Sequence, residues 1–89
     1  GASTSDLVSA AANVNGLWIT SAYVYASGTG GSAEITVDGV GVFGSSGLTS
    51  GGVTEGYEVT VFVPAGLAVR LTAGSGVSAR AGISYKLKG

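Results

Sequence analysis

The chain has no cysteine and no histidine. Those two absences exclude a disulfide framework, a zinc finger, a thiol nucleophile and a Ser-His-Asp triad. Charge is scarce as well. Four basic side chains stand against five acidic ones, a net charge of −1 and 10% charged residues, far below the roughly 25% of an average soluble domain. So few bases leave no electrostatic footprint for nucleic acid, and none is expected as a partner. No apolar run approaches the ~18 residues of a membrane-spanning helix, so no membrane insertion is expected. No basic stretch followed by an apolar core opens the sequence, so no signal peptide is visible.

What is present is apolar and turn-rich. Hydrophobic residues make up 45% of the 89, and glycine contributes 17. Disordered chains are polar and charged, so this composition argues for a folded one. The length suits one domain. Gly1 to Asp6, small and polar, reads as an N-terminal arm or linker, with a single domain over 7–89. So small a domain buries only about 60–65% of its unfolded surface. A surface with so little charge does little to keep copies apart, and self-association follows as an expectation.

Short alternating segments separated by turn residues run the length of the chain. Leu7 to Val14 is expected to be extended, with Asn15-Gly16 as a type I′ hairpin turn. Leu17 to Ala26 is the strongest strand, rich in β-branched and aromatic residues. Plain alternation puts Leu17, Ile19, Tyr23 and Tyr25 on one face and Trp18, Thr20, Ala22, Val24 and Ala26 on the other. Both faces are apolar, so a second layer is required, which a further copy of the chain could supply. Ser32 to Val37 and Val40 to Phe43 flank Asp38-Gly39, a second hairpin signal. Tyr57 to Val63 turns through Pro64-Ala65-Gly66 into Leu67–Ala73, with Gly66 expected at positive φ. Beyond Gly74-Ser75-Gly76, Val77, Ala79, Ala81, Ile83, Tyr85 and Leu87 share the inner face of the last strand. The expectation is an all-β antiparallel sandwich of about six to seven strands.

No constellation here carries chemistry. Gly39-Val40-Gly41-Val42-Phe43-Gly44 matches a dinucleotide fingerprint, but Ser45 to Gly52 cannot form the helix that must follow. Of the acids Asp6, Glu34, Asp38, Glu55 and Glu58, Glu34 and Glu58 fall on outward strand positions and Asp38 in a turn, and they read as solvated surface acids rather than a facing pair. Asp38 and Glu55 lack the ligand spacing of a calcium loop. No enzyme, cofactor or metal is expected. The residues offered for binding or subunit contact are aromatic: Trp18, which opposes Ile19; Phe62, which opposes Val61 and Val63; and Phe43. The loops Ser27–Gly31 and Gly44–Gly52 are the other candidates for contact with protein or neutral glycan. Arg70, Arg80, Lys86 and Lys88 read as solvated strand positions that deter edge pairing.

The run Val61-Phe62-Val63-Pro64-Ala65-Gly66-Leu67-Ala68-Val69, followed by Ala81-Gly82-Ile83-Ser84-Tyr85, resembles small jelly-roll or β-sandwich domains of tailed-bacteriophage virion proteins. The likeness covers roughly residues 14–88 and rests on turn chemistry. It implies a jelly-roll-like fold and a homotrimer on the virion surface, in a tail fibre, baseplate or capsid decoration. Its partners would be other virion proteins or a host surface glycan. The alternative expectation is a carbohydrate-binding module of a secreted or cell-surface protein.

Overall fold

Strands dominate wherever β-branched and aromatic residues alternate with small polar ones. The computed structural model describes residues 3–28, 30–46 and 52–89. They form eight strands: β1 (Ser3–Val8), β2 (Leu17–Ser27), β3 (Ser32–Val37), β4 (Val40–Ser46), β5 (Val53–Tyr57), β6 (Val61–Val63), β7 (Val69–Ala73) and β8 (Ser78–Leu87). The fold is all-β, in two antiparallel sheets compatible with a β-sandwich. One sheet runs β1-β7-β3-β4. In the other, β2 is central, with β8 along one side and β5 and β6 end to end along the other. Leu17, Ile19, Val24, Ile35, Val63 and Val69 are fully buried between the sheets. The thinnest dimension is 15 Å, as expected of two layers about 10 Å apart.

Several expectations change here. Ser3 to Asp6 is no arm: its backbone pairs with Ala73 to Arg70 of β7. A backbone ladder needs no apolar side chain, so composition alone could not reveal it. An Asp6–Arg70 ion pair of 2.8 Å lies on the same edge. Asn15-Gly16 is not a hairpin turn. Gly16 alone has positive φ, and β1 and β2 belong to different sheets. Tyr57 to Val63 is two strands rather than one, and Val59 is exposed rather than inward. Gly44 to Ser46 belongs to β4, and residues 47–51 of the expected loop lie outside the described residues. Only Asp38-Gly39 joins paired neighbours directly, with both residues at positive φ as a type I′ turn requires.

The largest departure concerns β2. Its register against β8 shifts between Ile19 and Ser21, so Thr20 is one residue too many, a β-bulge. Alternation flips there. Leu17 and Ile19 point inward, and so do Ala22, Val24 and Ala26, while Tyr23 turns outward. The Thr20 hydroxyl donates to the Ser84 carbonyl at 3.2 Å, tying the bulge to β8. On the other side, Ile19 pairs Val61 and Ala22 pairs Tyr57. Over one stretch the sheet thus spends two residue steps on β8, three on β2 and four from β5 to β6. The extra step interrupts pairing along residues 58–60.

Two corners carry the chain between sheets by the same device. Leu67 donates to the Pro64 carbonyl with Gly66 at φ 82, and Val77 donates to the Gly74 carbonyl with Gly76 at φ 75. A positive φ at the third position is what a type II turn demands. The first corner holds a buried side chain, Asn13. Its Nδ2 donates to Pro64 O at 2.8 Å and Leu67 O at 3.0 Å, while its backbone carbonyl accepts from Gly66.

Candidate functional face

The bulge decides which side chains β2 presents to solvent. Reading across the sheet at each outward position of β2 gives three rows. Phe62, Trp18 and Lys86 form the first, Gly56, Tyr23 and Gly82 the second, and Thr54, Tyr25 and Arg80 the third. Trp18, Phe62 and Tyr23 are 44%, 39% and 46% exposed. Their neighbours Ile19, Val63 and Val24 are fully buried, so each ring stands on a rigid, packed strand.

The first row is an aromatic pair. Trp18 and Phe62 have ring centroids 4.7 Å apart at 54°, within the range of favourable tilted packing. The second row is a dip. Tyr23 is flanked by glycine on both neighbouring strands, and its ring lies where a Cβ on Gly82 would be. The space over Gly56 is open. An open groove of about 760 Å³ results, lined by Tyr23, Gly56, Gly82 and Ser84 and rimmed on the β5 side by Glu58.

Cations stand beside these rings. The Arg80 guanidinium lies 4.9 Å from the Tyr25 centroid, and the Lys88 ammonium 5.9 Å from that of Phe62. Both are within cation–π range. Lys86 is opposite Trp18 in the register. The acids lie off β8: Glu34 on β3, Asp38 in the β3–β4 turn, Glu55 on β5 and Glu58, at the far rim of the groove, just beyond it. Among the described residues the only ion pair is Asp6–Arg70, on the other sheet. Those residues bring no three His, Cys, Asp or Glu side chains together as a metal cluster.

Of the three aromatic candidates, the structure brings Trp18 and Phe62 together on this face and places Phe43 elsewhere. Phe43 is buried at 6% exposure, 4.9 Å from Tyr57. The Tyr57 hydroxyl donates to Gly44 O at 2.6 Å and accepts from Gly44 N at 3.2 Å. Phe43 and Tyr57 therefore stitch β4 to β5 inside the fold, and Phe43 has no surface to offer a partner. Of the Ser27–Gly31 loop, Thr29 lies outside the described residues. Sequence reasoning missed Tyr23, which it set on the face of Leu17 and Ile19 rather than with Trp18, and the grouping of Arg80, Lys86 and Lys88 beside rings. The available signal was glycine inside a strand pattern, at Gly56 and Gly82, where another group approaches closely.

Comparison of the chain with known protein families, characterised proteins and solved structures finds no match in any of the three.

Proposed function

We propose that this chain is a non-enzymatic adhesive domain of a bacteriophage particle that grips a host surface glycan on the outward face of β2. The observation that carries the glycan reading is the exposed Trp18–Phe62 pair, followed along β2 by Tyr23 beside an open groove. The C–H faces of a sugar ring stack on aromatic planes, and the hydroxyls and backbone groups of a Gly/Ser/Thr-rich surface suit sugar hydroxyls. Rings held on rigid strands keep the geometry a shallow site needs.

The virion setting rests on the resemblance above and on a jelly-roll reading of the strand order. A jelly roll places strands C-H-E-F in one sheet and B-I-D-G in the other, labelled in chain order from B. Assigning β1, β2, β3 and β4 to C, D, E and F, the pair β5–β6 to G, and β7 and β8 to H and I gives C-H-E-F and I-D-G. That order supports a jelly roll without strand B, whose place would be the free edge of β8. The homotrimer is supported at the same edge, where Tyr85 and Leu87 point to the core side yet are 45% and 50% exposed. A carbohydrate-binding module of a secreted or cell-surface protein would use the same face and differ only in what carries it.

A panel of immobilised neutral and acidic polysaccharides tests the reading. The chain is expected to be retained on at least one, and Trp18→Ala to abolish that retention with the melting temperature preserved. Retention on none, or retention that Trp18→Ala leaves intact, overturns it.

A further inference from the structure

We infer that the ligand is a linear acidic polysaccharide, bearing carboxylate or sulfate groups, that lies extended along β8. The inference rests on the glycan reading above and names the class of glycan. A chain with only four bases places three of them, Arg80, Lys86 and Lys88, at or beside one strand next to aromatic rings. None of the three is neutralised by an ion pair among the described residues. The first two rows offer exposed rings, Trp18 and Tyr23, and the outer two carry a cation on β8, Lys86 and Arg80, the latter resting over Tyr25. That pairing suits a sugar that is apolar on one side and anionic on the other. Charge-assisted hydrogen bonds to carboxylate or sulfate oxygens are the strong kind.

Spacing points to a chain rather than a single sugar. Arg80 and Lys86 are six residues apart on one strand, about 20 Å at the usual rise per residue. The sheet between them holds no cation; it holds Tyr23, Gly82 and the groove. A ligand that satisfies both ends must cross that groove as several linked units. Glu58 on the opposite rim repels an anionic chain from the β5 side and sets it against β8.

The test uses the intact chain with polygalacturonate, polysialic acid and heparan sulfate against dextran and cellulose oligomers, with oligo(dT) as a further polyanion. Retention on one or more acidic polymers, with none or at least tenfold weaker retention on the neutral ones, is expected. The triple variant Arg80→Ser, Lys86→Ser, Lys88→Ser should lose at least tenfold in affinity, while Arg70→Ser, on the other sheet, should leave it unchanged. Raising salt from 50 to 200 mM should weaken binding on the order of tenfold, as for a polyanion held by about three cations. Retention on neutral polymers alone, or a triple variant that binds as well as the parent, overturns the acidic class and leaves the glycan reading standing. Retention on no polysaccharide overturns both. Oligo(dT) bound as tightly as the best polysaccharide replaces the ligand with single-stranded nucleic acid, which uses the same stacking and charge.

Discussion

Asn13 sits at the far end of a short turn from β1, yet the corner between β6 and β7 closes on it. Two N–H bonds of its amide satisfy carbonyls more than fifty residues away in sequence. Replacing it with Ala takes the amide donor from both, leaving Pro64 O with only the Leu67 N–H, and Asn13→Ala should cost about 1–3 kcal/mol in chemical denaturation. Gly66, in the same corner, was legible beforehand, since a Pro-Ala-Gly run announces its own geometry. No atom lies within 4 Å of where a Cβ would stand on Gly66, so Gly66→Val pays backbone strain without collision. About 1–3 kcal/mol of lost stability is expected, and a melting temperature equal to the parent's would show that the turn adopts another form. Asn13 was not legible, because its partners are set by how two sheets meet and not by its neighbours in the chain.

At the scale of the element, β2 separates what periodicity can read from what it cannot. The strand itself, its length and the outward position of Trp18 all follow from its composition and alternation. Its second half does not, because one surplus residue at Thr20 exchanges the two faces and leaves no mark in the pattern. The two readings of β2 make opposite demands on adjacent positions. With the bulge, Tyr23→Ser should stay within about 1 kcal/mol of the parent, while Val24→Ser should cost about 2 kcal/mol or more through a cavity and a buried hydroxyl. Urea titration of the two variants checks this, and the reverse order would restore plain alternation. By contrast β8 has no surplus residue, so Ala79, Ala81 and Ile83 pack against the core as the sequence reads, although Tyr85 and Leu87 at its end are about half exposed. The break between β5 and β6 was hidden for the same reason as the bulge, since residues 58–60 still alternate in sequence after they leave the ladder. The paired glycines of the candidate face became meaningful only once register set them on either side of Tyr23.

For the molecule as a whole, composition foretold an all-β fold with little charge, but not how that charge is laid out. It also motivates the oligomer. Sedimentation equilibrium at micromolar concentration should give about three times the 8.5 kDa of one chain, and Leu87→Lys, at the half-exposed end of β8, should shift the mass toward one. A monomeric parent would sink the trimer. The layout itself has a further consequence. Arg80 and Lys86 lie on β8 and Lys88 just past its end, none of them in an ion pair among the described residues, while Glu55 and Glu58 lie on and just beyond β5, across β2. A net charge of −1 therefore conceals an electric dipole across this sheet, from β5 toward β8. Far from an anionic surface, the net charge gives only weak repulsion. Within about a Debye length, roughly 10 Å at 0.1 M salt, the dipole exerts a torque that swings the β8 edge forward and brings the aromatic rows in first. Orientation would thus precede contact, and the advantage would appear in arrival rather than in residence. Surface plasmon resonance on an acidic polysaccharide should show an association rate that falls steeply between 20 and 150 mM salt. The fourfold variant Arg80→Ser, Lys86→Ser, Glu55→Gln, Glu58→Gln, which removes two charges of each sign and so keeps the net charge at −1, should flatten that fall by erasing the asymmetry.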